Sequence, residues 1–323
     1  MIRKQKILLS AGVAVIALVL AGCSTGATSE NTNSETGEAE NKMDSVALMV
    51  SDLSNPFFAS METSLTAQAE AEGFALNVQD GRQDLNAQNE QIDAFILQGV
   101  DILLLNAVDS AGIQPAVERA IAAGMVVIAV GDRASGAQAV AAVNNTQAGS
   151  AACEFMAEQM GGKGEVAIID GTAVSAVQER VVGCLAALSS YPDIKIVAQQ
   201  NGDNSIGRGQ IIGTDILTAH PNLGGIFGIN DPTALGALLA AEDAGFTNLV
   251  IVGVDGSPAA VAELQKADSM FFGTATQDPG AMALEGLIAG KTLFSGGTLS
   301  QTDILLDSQF VNRANLSEYT PWG

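Results

Sequence analysis

Short apolar segments alternate with helix-length segments through most of this chain of 323 residues. The first of them, residues 46–51, reads Val-Ala-Leu-Met-Val-Ser, which is typical of a strand buried on both faces of a parallel sheet. Strands separated by helices of this length indicate right-handed βαβ units. We expect strands at 46–51, 74–79, 102–106, 126–130, 165–170, 195–199, 225–229, 249–254 and 271–276. About 280 residues are involved, too many for one hydrophobic core, so the sequence predicts two doubly wound parallel-sheet lobes of the α/β class.

The first 22 residues have the parts of an export signal. A basic start with Arg3, Lys4 and Lys6 precedes an uninterrupted apolar stretch at 7–20, which is short for a membrane-spanning helix. The sequence Leu-Ala-Gly-Cys that ends it resembles a bacterial lipobox, which implies cleavage before Cys23 and attachment of lipid to its thiol. Lipid on Cys23 would hold the protein on the extracytoplasmic face of a membrane. An ordinary signal peptide with an incidental cysteine is the alternative.

Residues 23–43 are polar and are predicted to form a flexible tether. They are rich in Ser, Thr, Asn, Glu and Gly, and they contain too few apolar residues to bury a core. Removal of the signal takes away three of the 14 basic residues and no acidic residue, so the formal charge falls from −22 to −25. A surface this negative repels nucleic acid, and we expect no nucleic-acid partner.

The segment Asn55-Pro56-Phe57-Phe58 follows the first predicted strand. Pro56 ends the strand and starts a helix, and the paired phenylalanines are notable because only 4% of the residues are aromatic. Ligands of open α/β sheets bind beyond the carboxyl ends of the strands, where this segment lies. These four residues alone leave two interpretations open, a ligand contact or a helix cap with core packing.

Polar side chains also follow later predicted strands, at Asp132, Arg133, Asn230, Asp255 and Gln277. Any one of them is explained by capping of the next helix. Capping does not explain an arginine after an aspartate, nor a glutamine. Together the groups offer carboxylate acceptors, guanidinium donors and amides, the mixture that a polyhydroxylated ligand needs because each hydroxyl both donates and accepts.

Several motifs extend this set in a characteristic order and spacing. They are Ser51-x-x-x-Asn55-Pro56-Phe57-Phe58, Asp132-Arg133, Glu179-Arg180-x-x-Gly183, Thr218-Ala219-His220-Pro221, Asn230-Asp231-x-x-Ala234-Leu235-Gly236-Ala237, Val252-Gly253-x-Asp255-Gly256 and Gln277. In these motifs the chain resembles bacterial ribose-binding proteins, from residue 44 to about residue 307. The resemblance implies a type I periplasmic-binding fold, in which three crossing segments join two lobes around a sugar cleft. Such proteins are receptors of ABC importers and are not enzymes.

By this resemblance the chain would cross between lobes near 143–146, 277–278 and Asp303. The N-terminal lobe (N-lobe) would comprise 44–144 and 278–303, and the C-terminal lobe (C-lobe) 145–277 and 304–323. Hinge closure would capture a monosaccharide, a pentose, hexose or furanose, for delivery by a monomeric receptor to an ABC permease. The alternative is a sensor that presents a sugar, sugar alcohol or furanosyl quorum signal to a chemosensory or signalling partner.

The family's binding residues carry over position by position. The corresponding residues are Ser51, Asn55, Phe57, Phe58, Asp132 and Arg133 in the N-lobe, and Arg180, Asn204, Asn230, Val254, Asp255 and Gln277 in the C-lobe and hinge. Asn204 and Val254 stand where ribose-binding proteins carry aromatic residues. The resemblance therefore implies a sugar or polyol site without implying ribose itself.

Other functions find little support in the sequence. The one histidine, His220, precedes a proline, so no catalytic triad with a histidine base can be assembled. A transcription regulator of the lactose-repressor family shares the fold but would need a helix-turn-helix where this chain has an export signal. Cys153 and Cys184 have no neighbours at metal spacing, and we expect neither a metal nor a cofactor. We expect them to be separate buried thiols, although a disulfide is chemically permitted outside the cell.

Overall fold

The computed structural model describes residues 42–322, so the predicted signal peptide, Cys23 and nearly all of the predicted tether lie outside the described residues. The described range contains twelve strands and nine α-helices. The strands are β1 (Ser45–Val50), β2 (Ala75–Asp80), β3 (Ile102–Leu105), β4 (Val126–Val130), β5 (Ala139–Val143), β6 (Lys163–Asp170), β7 (Asp193–Asn201), β8 (Leu223–Gly228), β9 (Val250–Asp255), β10 (Phe271–Thr276), β11 (Asp303–Leu306) and β12 (Phe310–Asn312). The helices are α1 (Pro56–Glu72), α2 (Leu85–Gln98), α3 (Gln114–Ala122), α4 (Asn145–Gln159), α5 (Ser175–Leu188), α6 (Ile206–Ala219), α7 (Asp231–Asp243), α8 (Pro258–Leu264) and α9 (Pro279–Phe294).

The N-lobe is a six-stranded parallel sheet in the order β11-β5-β4-β3-β1-β2, covered by helices on both faces. Alternate residues of β1 explain why that strand is apolar from Val46 to Val50. Leu48 packs in the cluster formed with α1 and α9, whereas Met49 packs in the cluster formed with α2 and α3. Successive side chains of a strand point to opposite faces, so a strand covered on both sides needs an apolar residue at every position.

The C-lobe is a second six-stranded sheet, in the order β12-β10-β9-β8-β6-β7. Its strands are parallel except for β12, which runs antiparallel to β10. Helices α4 and α5 cover one face, and α6, α7 and α8 cover the other. The two doubly wound lobes confirm the predicted fold class, and every predicted strand lies within two residues of its expected ends.

The chain passes between the two sheets three times. It leaves the N-lobe after β5, returns after β10 to form α9, and leaves again after β11. The prediction that the third crossing falls at Asp303 is wrong, because β11 pairs in parallel with β5, with Asp303 opposite Val140. Residues 304–306 therefore belong to the N-lobe sheet, and the crossing lies at 307–309.

Cys153 on α4 and Cys184 on α5 form a disulfide, with their Cα atoms 5.0 Å apart. The prediction of separate thiols is therefore wrong, and two glycines supply the physical reason. A Cβ added to Gly149 would overlap the carbonyl oxygen of Arg180, and one added to Gly183 would overlap that of Thr146. The two helices thus approach backbone to backbone, which brings the cysteines within disulfide reach.

None of the helices within residues 42–322 is both long and apolar enough to cross a bilayer.

Candidate functional site

A cavity of about 90 Å³ lies between the carboxyl ends of the two sheets. It is lined by ten of the twelve residues predicted for the site, namely Ser51, Asn55, Phe57, Phe58, Asp132, Arg180, Asn204, Asn230, Asp255 and Gln277. The N-lobe supplies the first five, the C-lobe the next four, and the second crossing the last. The fold therefore brings these residues together, and their role in binding stays a prediction.

Val254 does not line the cavity. It is fully buried in the C-lobe core beneath α4 and α5, where it packs beside Val252 and Phe227. The absence of an aromatic residue at this position therefore does not change the cavity wall.

Arg133 also points away from the cavity. Its Nε donates to Oε1 of Glu179 at 3.0 Å, and its Nη1 donates to Oδ1 of Asp303 at 2.9 Å. The bond with Asp303 raises the pKa of the Arg133 guanidinium and lowers the pKa of the Asp303 carboxyl. Because Glu179 lies on α5 and Asp303 on β11, the arginine joins the C-lobe to the N-lobe.

The first turn of α5 carries further contacts between the lobes. The backbone N–H of Ser175 donates to Oγ of Ser110 at 3.0 Å, and the backbone N–H of Arg133 donates to Oγ of Ser175 at 2.7 Å. The backbone N–H of Ala176 donates to Oδ1 of Asp132 at 2.8 Å. We call this set, with the Arg133–Glu179 pair, the α5 docking contact.

Asp132 serves as the cap of α5 from the opposite lobe. Val174, the residue before the helix, makes no side-chain cap within the described part of the chain. A carboxylate beside a helix N-terminus satisfies a free N–H and meets the positive end of the helix dipole. Burial nevertheless raises the pKa of Asp132, against the opposing effects of the Ala176 bond and the Arg180 charge.

Arg180 is the one cationic residue lining the cavity within residues 42–322, and it is 6% exposed. Its Nε donates to Oδ1 of Asn145 at 2.8 Å, and its Nη1 donates to the carbonyl oxygen of Ile229 at 3.0 Å. The same Nη1 lies 3.8 Å from Oδ1 of Asp255. These bonds hold the guanidinium in place beside the buried carboxylate of Asp255.

Two buried carboxylates share that region. Asp255 accepts from Nε2 of Gln277 at 2.7 Å and from the backbone N–H of Asp231 at 3.3 Å. The Asp231 carboxylate accepts from the backbone N–H of Ser257 at 2.8 Å and from the Thr274 hydroxyl at 2.7 Å. Burial, and then the Asp231 charge, raise the pKa of Asp255 to about 7, while Arg180 and Gln277 oppose the rise.

This pKa predicts that the ligand-free protein loses stability as the pH rises. The ordinary pKa of the Asp255 carboxyl is 3.8, so between that value and about 7 the folded protein holds a proton that the unfolded chain has released. The stability from this group is fully present below pH 3.8 and is lost as the pH rises through 7. Between about pH 5.5 and pH 8 we expect a fall of about 2 kcal/mol in the free energy of unfolding, measured by urea titration.

Asp255→Asn is the matched variant, since asparagine keeps the shape and cannot ionise. We expect its free energy of unfolding to change less over the same pH range. Asp303, whose pKa its bond with Arg133 lowers, titrates below this window and does not interfere. An equal pH dependence in the wild type and in Asp255→Asn would contradict the assignment.

Phe57 and Phe58 fit both interpretations of their motif. The Asn55 side chain caps α1 by accepting from the backbone N–H of Phe57 at 3.0 Å, and both rings belong to the N-lobe core. The rings also line the cavity, in an edge-to-face pair with centroids 5.2 Å apart. The segment is therefore a cap, a piece of core and a cavity wall at once.

Trp322 is a contact that the sequence interpretation missed. Its ring packs edge-to-face on Phe57 at 6.0 Å, and its Nε1 donates to the backbone carbonyl of Asp255 at 2.9 Å. Residues near the carboxyl end of the chain thus tie an N-lobe aromatic residue to a C-lobe strand.

The remaining lining residues were not predicted. They are Asp52, Gln83, Asn106, Val108, Gly131, Thr172, Val174, Ala176 and Val177. Several had a detectable signal, because Asp52, Asn106 and Thr172 lie within two residues of the ends of β1, β3 and β6, as the predicted residues lie near the ends of their strands.

Three amide oxygens of the cavity wall are buried without a hydrogen-bond partner among residues 42–322. They are Oδ1 of Asn106, Oδ1 of Asn204 and Oε1 of Gln277. The Asn106 and Gln277 amides are oriented by acceptors, because Asn106 donates to the Val130 carbonyl at 3.0 Å and Gln277 donates to the Asp255 carboxylate. The cavity therefore offers acceptors to a ligand rich in hydrogen-bond donors.

A sequence model of the family described as periplasmic binding protein domain matches residues 46–297, more than half of the chain. The chain belongs to this family. It is 30% identical over 261 residues to the ribose import binding protein of Bacillus subtilis, covering 80% of this chain and 84% of the relative. It is also 27% identical over 297 residues to the xylitol-binding protein of Mycolicibacterium smegmatis, covering 88% and 80%.

Solved structures agree with this assignment. An ABC transporter periplasmic solute-binding protein from Actinobacillus succinogenes, crystallised with bound D-allose, superposes with a TM-score of 0.80 at 28% identity. The match covers 85% of this chain and 100% of that one. As a periplasmic binding protein resembling sugar and polyol receptors, the protein is extracytoplasmic and is a binding protein, not an enzyme. Among the described residues, no group of three or more His, Cys, Asp or Glu side chains is arranged to hold a metal ion.

Proposed function

We propose that this protein is a lipid-anchored receptor that captures a monosaccharide or related polyol between its lobes and delivers it to an ABC import permease. One observation carries the proposal: the cavity between the lobes is lined by Asp132, Arg180 and Asp255 beside two phenylalanines. Carboxylates accept from sugar hydroxyls, and the guanidinium and amides donate to hydroxyl or ring oxygens. A phenylalanine ring packs on the apolar C–H face of a sugar ring.

Closure of the lobes supports the capture mechanism. A ligand touching Asp132 and Arg180 together makes those contacts only when the lobes are closed, so binding shifts the open–closed equilibrium. The α5 docking contact acts in the same direction, because Asp132 caps α5 across the boundary. A permease can then distinguish the loaded receptor from the empty one by its shape.

The anchor and the transport partner are parts of the proposal that rest on sequence. Lipid on Cys23 would hold the receptor at the membrane, and the polar segment at 23–43 would let it reach the permease. The relatives' names include ribose import and a component of ABC transport, which supports an importer. We propose a monomer without a nucleic-acid partner, consistent with the strongly negative charge.

A thermal-shift screen of the purified full-length protein against pentoses, hexoses, furanoses and polyols tests this function. We expect at least one of these compounds to raise the melting temperature and, in small-angle X-ray scattering, to favour the compact form. Asp132→Asn is expected to weaken that ligand by at least about tenfold, equivalent to about 1.4 kcal/mol.

Asp93→Asn is the matched control, because Asp93 is a half-exposed aspartate on α2 that pairs with Arg119 away from the cavity. We expect it to bind as the wild type does. The proposed function would be wrong if no sugar or polyol shifted the melting temperature of the wild type.

A further inference from the structure

The two sides of the cavity differ in chemistry, and this difference bears on the ligand that the proposed function would accept. The N-lobe contributes the rings of Phe57 and Phe58. The C-lobe contributes the polar side chains of Thr172 and Asn204, beside the smaller apolar residues Val174, Ala176 and Val177. Of the two positions at which ribose-binding proteins carry aromatic residues, Val254 is in the core. Asn204 is therefore the position at which the cavity wall itself has a polar residue in place of an aromatic one.

Asn204 is held in a defined position by its neighbours. Its Nδ2 lies 2.9 Å from Oγ1 of Thr172, and its backbone carbonyl accepts from Nδ2 of Asn230 at 3.2 Å. A Cβ added to Gly171 would overlap its Oδ1, so the glycine makes the space that the amide fills. Its φ of 54° is in the left-handed region, which asparagine tolerates better than most residues.

The amide oxygen of Asn204 is buried against Gly171 and has no hydrogen-bond partner among the described residues. The Thr172 hydroxyl can donate or accept, so either orientation of the amide leaves one of its polar atoms without a partner in the wall that Asn204 and Thr172 form. A hydroxyl satisfies that atom in both orientations, whereas a C–H group satisfies it in neither.

A ring with C–H groups on both faces suits two aromatic walls but leaves this amide unsatisfied. A ring with C–H groups on one face and a projecting hydroxyl on the other suits both sides of this cavity. We propose that Asn204 and Thr172 make the site selective for ring polyols that carry an axial hydroxyl, with the opposite face of the ring against Phe57 and Phe58. This inference rests on the proposed function and specifies its ligand class.

Two pairs of isomers test the inference by calorimetric titration of the full-length protein. Myo-inositol has one axial hydroxyl and scyllo-inositol has none, and D-allose differs from D-glucose in the configuration of one hydroxyl that is axial in allose. Size, charge and hydroxyl number are equal within each pair. We expect the isomer with the axial hydroxyl to bind at least about tenfold more tightly in at least one pair.

Thr172→Val and Asn204→Gly are the test variants. Valine keeps the shape of threonine, and glycine keeps the left-handed backbone and the carbonyl that Asn230 uses. We expect both to reduce the preference to less than about threefold while the isomer lacking the axial hydroxyl still binds. Asp203→Gly is the matched control, because exposed Asp203 also has a left-handed φ, of 50°, and does not line the cavity; it should keep the full preference.

The outcomes separate this inference from the proposed function. Equal or reversed affinities within both pairs in the wild type would overturn the inference, as would a preference that persists unchanged in Thr172→Val and Asn204→Gly. Binding of other sugars or polyols in those cases would leave the proposed function intact. Failure of every sugar and polyol to bind would overturn both.

Discussion

Replacing Arg180 with methionine is expected to destabilise the fold by about 3–5 kcal/mol and to abolish ligand binding. The guanidinium lies among the buried carboxylates of Asp132, Asp231 and Asp255. Burial raises the pKa of each carboxyl, and the Arg180 charge opposes that rise. Removing it leaves buried negative charge without compensation and leaves Asn145 and the Ile229 carbonyl without their donor. Urea unfolding and thermal shift with a ligand identified for the wild type measure the two effects.

A second substitution distinguishes charge from packing as the cause. In Arg180→Met/Asp255→Asn one buried carboxylate is also removed, so we expect part of the lost stability to return, without recovery of binding. Arg208→Met is the control, since Arg208 is half-exposed and pairs with Asp203 at 3.9 Å on the surface; its effect on the free energy of unfolding should be under about 1 kcal/mol. If Arg180→Met unfolded at the same urea concentration as the wild type, with an unchanged slope, the buried-charge argument would be wrong.

Removal of the disulfide is expected to lower the free energy of unfolding by a similar amount. Cys153 and Cys184 are 31 residues apart, and closing a loop of that length lowers the entropy of the unfolded chain enough to stabilise the fold by about 3–4 kcal/mol. The double variant Cys153→Ala/Cys184→Ala should therefore unfold at lower urea. Alanine avoids placing new polar groups in this fully buried position.

Reductant supplies the matched comparison for the disulfide. We expect it to shift the urea midpoint of the wild type toward that of the double variant and to leave the double variant unchanged. Separate thiols would instead give a wild type that is indifferent to reductant, and that result would refute the bond.

The lobes and most of the cavity were predictable because they depend on local chain properties. Apolar runs such as 46–51 specify strands that are buried on both faces, and parallel strands bring their following residues to one edge of the sheet. Asp132, Asn230 and Asp255 therefore line the cavity, and this placement does not depend on how the helices between them pack.

The direction of Arg133 was not predictable from the sequence. Arg133 follows Asp132 directly, yet it turns outward because Glu179 and Asp303 meet there, and these two residues lie on different lobes. Its direction therefore depends on distant residues that no local pattern reports. Val254 is a different case, because successive side chains of a strand point to opposite faces, and only its neighbour Asp255 reaches the cavity.

The disulfide shows the same limit in the packing of helices. Its formation depends on how closely α4 and α5 cross, which Gly149 and Gly183 permit by lacking side chains. Neither glycine on its own indicates a close helix crossing in the sequence. The crossing arises only when both helices are placed on the sheet.

Trp322 is the single tryptophan of the chain, and it spans the boundary between the lobes. Its ring contacts Phe57 of the N-lobe, and its indole N–H is bonded to the Asp255 carbonyl of the C-lobe. Indole emission depends on the polarity around the ring and on the hydrogen bond of its nitrogen, and a change in the angle between the lobes alters at least one of these. The protein thus contains a native optical reporter of the opening and closing that we propose, readable without a chemical label.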